Sequence, residues 1–509
     1  MRIRNTMLNS ILALTNKIVT LVMVFVVRKF FVRILGNDYL GAEGFFSNVL
    51  GIFSLVDLGL GYAISFSLYK PIHEKNRDLL SAMMKIYKIA YIAVGVTILL
   101  LSFAFTPVIR FLFHPENLTL SEVNIFFLIY ALGVAVTYFF SYNRTLLFAL
   151  QKNYFVLAVD TIIKFLLCLT QILILTVTEN YYFYLFSSIG FNLLGNILIS
   201  VILNKEDCYD TRNVGKLPYE YKTELIEHMK ALAITNIAWK GITSTDNIIL
   251  SACVGVTELA KNTNYSLVVI HINSIVTALL GGATASIGDL ISEGNKEKIR
   301  EYFERYTFIY AIAAIYVSTG FFFVSDAFIS AWVGSKLLFD KGTILVLAIN
   351  IYLVLHFQPL AEYQNLGGLF VRYKPYSVIA FILNIGFSIV LSICLSTKGV
   401  FIGTLITYIF MIIVVCSLVC KYMLNIKCIE YYKQEFHYLI IYISCFLILL
   451  CMNCLQNENV VINLFLQFTK TTIVCFGVIW IALRNDQRMI FFEKLLNDII
   501  KKLISKKMR

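Results

Sequence analysis

The residues most able to carry chemistry in this sequence are charged side chains placed inside long apolar runs. The cations are Lys17, Arg28, Lys29, Arg144, Lys164, Lys240 and Lys261, and the carboxylates are Asp57, Asp160, Asp246 and Glu362. A full charge is expensive in hydrocarbon, so each of these should face a cavity or a partner. Asp160 and Lys164 stand four apart on one helical face and are expected to neutralise each other. Arg33, Glu258 and Lys261 fall near a membrane edge, where long stems can carry the charge into the interface. Arg28, Arg144 and Lys240 have no carboxylate at helical spacing. Either they pair between helices, with Asp57 or Asp246 as counter-ions, or they line a cationic cavity. Such a cavity would attract an anionic headgroup, and arginine suits phosphate because its planar fork binds two oxygens at once. Cations spread over several helices favour the cavity for the group as a whole. Arg28, Arg144, Lys164, Lys240 and Lys261 are therefore the expected substrate contacts. Asp57, Asp246 and Glu362 are expected to gate or couple ions, together with Pro359, which should kink its helix near His356 and Glu362. Gly51, Gly59, Gly61, Gly281, Gly282 and Gly288 read as points of close helix packing.

The elements that must hold these residues are membrane spans. The 509 residues are 59% hydrophobic and 15% charged, with a mean hydropathy of +0.77. A soluble domain averages about 45–50% apolar and about 25% charged. Apolar segments occupy 8–35, 42–69, 82–106, 122–150, 154–177 and 181–203, then 226–253, 260–289, 305–329, 343–370, 376–396 and 399–420, and finally 436–455 and 460–483. At about 20 residues per crossing, these make about fourteen helices with connections of on the order of 15 residues. No room remains for a large soluble catalytic domain, and the chain is not expected to be an enzyme. Arg2 and Arg4 before the first run resemble a signal peptide, but no small-residue cleavage site follows, so the first span is expected to stay. Cys168, Cys253, Cys394, Cys416, Cys445 and Cys475 lie in apolar runs, and Cys451 and Cys454 form a C-x-x-C without a partner pair. The six histidines are scattered, no H-E-x-x-H or G-x-x-x-x-G-K-[ST] occurs, and no metal or cofactor is expected.

The net charge of +12 would suggest nucleic acid in a soluble chain, but membrane proteins collect Lys and Arg on the cytoplasmic side. Alternate connections hold about 27 Lys and Arg against about five, which places both termini in the cytoplasm. An offset of 219 pairs Gly36 with Gly255, Leu40 with Leu259, Ser47 with Ser266, Val49 with Val268, Glu74 with Glu293 and Asn76 with Asn295. An even number of spans separates the copies, so the repeat is parallel, a transporter-like arrangement. The expected fold class is an all-α polytopic membrane protein with two pseudo-symmetric six-helix lobes plus two extra C-terminal helices. Residues 1–204 would form the N-lobe, 205–223 a cytoplasmic linker, 224–425 the C-lobe, 426–485 the last two spans and 486–509 a basic amphipathic tail on the cytoplasmic leaflet.

Several stretches then carry a family likeness. Arg33 to Gly41 (RILGNDYLG) resembles the R-x-L-G-x-x-x-x-G loop after the first helix of Wzx-type polysaccharide-repeat flippases. Leu55 to Ile64 (LVDLGLGYAI) resembles their second helix, and Ser244 to Ser251 (STDNIILS) their T-D-x-x-x-x-S stretch. These flippases belong to the multidrug/oligosaccharidyl-lipid/polysaccharide exporter superfamily. The resemblance implies movement of an undecaprenyl-pyrophosphate-linked oligosaccharide across the bacterial cytoplasmic membrane by alternating access. It also implies membrane lipids, a polysaccharide polymerase and a chain-length regulator as partners. The chain departs from the family after Gly255, where Glu258, Lys261 and Asn262 precede Tyr265 in place of the usual glycine and tyrosine.

Overall fold

The computed structural model describes residues 2–54, 68, 72, 76–115, 117–150, 152–204, 241–242, 244–280, 287, 290–291, 294–452 and 459–490. The protein is all-helical, with no strand among these residues. The helices are α1 (Arg2–Leu35), α2 (Asn37–Phe53), α3 (Arg77–Leu112), α4 (Leu120–Ala149), α5 (Asn153–Thr178), α6 (Tyr181–Asn204), α7 (Val256–Leu280), α8 (Lys296–Trp332), α9 (Lys341–Leu366), α10 (Phe370–Leu395), α11 (Thr397–Val419), α12 (Cys428–Cys451) and α13 (Val460–Leu483). A helical segment at 241–249 and a π-turn, Leu250–Val254, precede α7. Ten of the described helices are long and apolar enough to cross a membrane. Each falls on a segment that the sequence reads as a span. The 205–223 linker, Asp57, Lys240, Gly59, Gly61, Gly281, Gly282, Gly288, Cys454 and the tail beyond 490 lie outside the described residues.

Local chemistry sets the helix ends, because unpaired backbone groups there must find partners. Asn76 accepts the Leu79 N–H at 3.0 Å and Asn295 accepts the Lys298 N–H at 3.1 Å, so two residues 219 apart cap α3 and α8 in the same way. Gly36 and Gly255, another matched pair, have φ of 89° and 139° and stand directly before α2 and α7. Only glycine takes such angles without strain. The half-repeat is thus written into equivalent turns. Thr119 and Glu122 form a capping box before α4.

Two compact units emerge: residues 1–263 with 389–400, and residues 264–388 with 401–509. In the first, α1 packs on α5, α3 on α4, and α6 on both α4 and α5. In the second, α8 is central, packed on α9, α12 and α13. Its most apolar window is 61% buried, against 28% and 33% for α12 and α13, whose outer faces are left for lipid.

The α10–α11 hairpin is a tight connection. Ser396 alone separates the helices, at φ 54°. A Cβ on Gly399 would stand 2.0 Å from the Leu391 carbonyl oxygen, and one on Gly403 would stand 2.5 Å from the Ser388 nitrogen. Backbone cannot yield as a side chain would. Gly399→Ala should therefore force the helices apart and cost about 1–3 kcal/mol. The expected result is a lower thermal midpoint and less monodisperse protein in detergent. An unchanged midpoint would contradict this packing.

Candidate functional site

A cavity of about 200 Å³ opens inside the first unit, between α1, α2, α5 and α6. Its charged lining is Arg28 from α1, Glu43 from α2 and Lys164 from α5. Arg28 donates to the Glu43 carboxylate at 3.0 Å, with side chains 11% and 20% exposed. Lys164 is exposed and donates to Thr20 Oγ1 of α1 at 3.2 Å. Two cations face one carboxylate, so the titratable lining carries a net positive charge. Gln171, which donates to Ser188 Oγ at 2.9 Å, and Tyr184 add polar edges, while Met23, Val24, Val27 and Phe31 form an apolar wall. The Phe31 ring lies 5.9 Å from the Arg28 guanidinium and packs edge-on against Tyr184 at 5.1 Å. The guanidinium thus has both an aromatic neighbour and a carboxylate partner. Drug-sized pockets run to about 300–1,000 Å³. At about 200 Å³ this cavity is smaller than that.

Arg144 is held elsewhere. Its terminal nitrogen reaches both oxygens of Asp160 at 2.9 Å, and its Nε donates to Asn196 Oδ1 at 3.0 Å. One side chain of α4 thereby ties α5 and α6. This corrects the expected Asp160–Lys164 neutralisation: Asp160 turns to Arg144, whose fork delivers directional charge-assisted bonds to two acceptors at once. Lys164 is left to the cavity lining.

Lys261 pairs with Glu258 at 2.6 Å, and Glu258 also accepts from Thr397 Oγ1 at 2.9 Å. Asp246 is half-buried in the segment before the π-turn. Around it Asn262 donates to Asn247 at 2.6 Å and Ser251 donates to the Leu112 carbonyl at 2.5 Å, so the T-D-x-x-x-x-S serine anchors the end of α3. Glu362 accepts from Tyr306 Oη at 2.5 Å, and Pro359 is buried within α9. These residues belong to other regions, and the structure does not bring them to the cavity. The glycines of the R-x-L-G-x-x-x-x-G stretch have a physical reason. Gly36 needs its positive φ, and a Cβ on Gly41 would come within 2.6 Å of Val256 at the start of α7.

Sequence reasoning missed Glu43. It lies in a mixed stretch, NDYLGAEG, which reads as a membrane edge. The available signal was depth: Arg28 precedes Gly36 by about as many residues as Glu43 follows it, which puts both at one level of an αα-hairpin. His356 was noticed beside Pro359, but not its partner. Its Nδ1 stands 2.5 Å from Glu435 on α12, with the ring 4.3 Å from that of Tyr352.

The fold defined by these helices is shared with known membrane transporters. One similar solved structure is the lipid II flippase MurJ in an inward closed conformation, at 14% identity and a TM-score of 0.66, covering 94% of this chain and 99% of that one. Another is an inward-facing multidrug resistance MATE family transporter of the MOP superfamily, at 16% identity and 0.60, covering 80% and 96%. A third is the eukaryotic MATE transporter AtDTX14, at 14% and 0.59, covering 82% and 96%. At these identities the likeness is one of fold. No family profile matches the chain, and no curated protein matches it by sequence.

Proposed function

We propose that this protein is a flippase of the multidrug/oligosaccharidyl-lipid/polysaccharide exporter superfamily. Its substrate would be an undecaprenyl-pyrophosphate-linked oligosaccharide, moved to the outer leaflet of the bacterial cytoplasmic membrane by alternating access. The product would feed capsule, O-antigen or exopolysaccharide assembly, with a polymerase and a chain-length regulator acting downstream. The observation that carries this reading is the net-positive cavity around Arg28 and Lys164, in a fold shared with a lipid flippase over nearly its whole length. The pyrophosphate is the one part of such a substrate common to every sugar composition. A cavity too small for the glycan but right for a phosphate is what a headgroup-reading flippase needs.

A drug or cation antiporter is the second reading, favoured by the MATE neighbours and by the Glu43 carboxylate in the cavity. The two differ in the sign of charge they recruit. Lys164 separates them, because it is exposed and its bond to Thr20 adds little stability. Lys164→Gln should leave folding unchanged and slow polymer export about tenfold, since the cavity loses its excess positive charge. Export is read as surface polymer in a deletion strain carrying the variant, and inward-facing lipid-linked repeats should accumulate. Full complementation, with altered resistance to cationic drugs, would sink the flippase reading in favour of the antiporter.

A further inference from the structure

Three thiols within thirteen residues of sequence come together in the second unit. The Sγ atoms of Cys416, Cys420 and Cys428 all lie within 4.8 Å of one another, and those of Cys416 and Cys420 are 3.7 Å apart. Four-residue spacing puts the first two on one helical face. The third arrives because the chain turns back abruptly. After α11 the backbone makes a π-turn, Cys420–Leu424, and Asn425 takes a left-handed φ of 54°. Residues 425–427 then deliver Cys428 as the first residue of α12. A π-turn is uncommon and costs regular hydrogen bonds, and such turns gather at functional sites. Here the consequence of the irregular backbone is the convergence of three sulfurs.

Cys416 and Cys420 are fully buried, whereas Cys428 is half-exposed and offers a way in. Sulfur atoms bound to one ion at about 2.3 Å in tetrahedral geometry stand about 3.8 Å apart. The Cys416–Cys420 separation already matches. No imidazole or carboxylate joins the group among the described residues: Glu430, the nearest acid in sequence, is turned toward Arg300 at 3.1 Å. An all-thiol set is soft and selects Cu(I) or Zn(II) over the hard ions Mg²⁺ and Ca²⁺. Lys421 and Lys427 lie within the same segment, a basic local sequence that suits the negative charge three thiolates would bring. The connection belongs to the basic set that the sequence places on the cytoplasmic side, a reducing compartment in which thiols persist.

We propose that Cys416, Cys420 and Cys428 form a binding site for a thiophilic d¹⁰ cation, Cu(I) or Zn(II), which clamps the end of α11 to the start of α12. The site lies in the second unit and is independent of the transport reading. The two buried ligands come from the end of α11 and the first residue of the π-turn that follows it, and the third closes the site from α12. Three-coordination satisfies Cu(I) outright, whereas Zn(II) would add a water.

The test uses the full chain, reduced and stripped of metal, in detergent or nanodiscs. Zn²⁺ and Cu(I) are offered separately under anaerobic conditions, and bound metal is counted by mass spectrometry after desalting. The expected result is one ion per chain in the wild type and in Cys394→Ser, a control at an exposed thiol. Cys428→Ser and Cys420→Ser should each lose it, and competition between the ions tells which is held. A second measurement needs no variant. The metal should slow maleimide labelling of wild-type Cys428 about tenfold. Binding no greater than that of the triple serine variant, with unprotected Cys428, would overturn the proposal. So would an intact mass showing a disulfide among the three in protein isolated without reductant, because the cluster would then be a redox pair.

Discussion

Arg28→Ala should abolish export of the surface polymer while the protein still reaches the membrane. Two effects converge on this residue. The first is electrostatic: without Arg28 the cavity holds Lys164 against Glu43 and loses its net positive charge. The second is structural. Glu43 would remain largely buried without its ion-pair partner, and removing one partner of such a pair costs about 3–5 kcal/mol. The two are separable. Arg28→Gln/Glu43→Gln removes both charges together, so the stranded carboxylate disappears and much of the stability should return. On the proposed function export should still fail, because the guanidinium that would bind the pyrophosphate oxygens has gone. Thermal midpoints in detergent and surface polymer in a complemented deletion strain read the two effects independently. If the double glutamine variant regains both, the pair is a strut between α1 and α2 and the substrate does not use Arg28. Lys164→Gln, which disturbs no ion pair, then becomes the deciding variant.

The distance between sequence and structure is instructive at these residues. The spans were legible because hydrocarbon imposes length and apolarity on every crossing helix. The turns at Gly36 and Gly255 and the caps at Asn76 and Asn295 were legible as a repeat, because local backbone geometry selects particular residue types. The cations Arg28 and Lys164 stood out by their cost in an apolar run. Their surroundings did not, because a hydropathy pattern records depth along a helix but not the rotation that aims a side chain at a neighbour. Glu43 sat in a stretch polar enough to pass for a membrane edge. Asp160 had a cation four residues away and a better one on another helix, and only packing decides between them. Cys416, Cys420 and Cys428 illustrate the same limit more sharply. Their spacing is ordinary, and the π-turn that unites them leaves no composition signature.

Arg144 supplies the second large expectation, and the structure changes its kind. As a lone cation it is a candidate for the pyrophosphate; with its guanidinium committed to Asp160 and Asn196, the geometry favours a positioning role. Arg144→Ala would strand Asp160 and release Asn196, unpinning α4 from α5 and α6. The expected cost is about 3 kcal/mol, with lost export as the consequence of lost folding. A paired replacement separates this from a substrate contact. Arg144→Met/Asp160→Leu substitutes apolar side chains of similar reach for both charges, a change that is often neutral or stabilising when a partly buried ion pair is removed whole. If Arg144 positions, the double variant recovers its thermal midpoint and exports polymer at close to the wild-type level, because Arg28 and Lys164 are untouched. A variant that folds like the wild type yet exports nothing would return Arg144 to the substrate. The cavity would then have to extend from α5 to α4, and the headgroup would be read by two arginines on different helices.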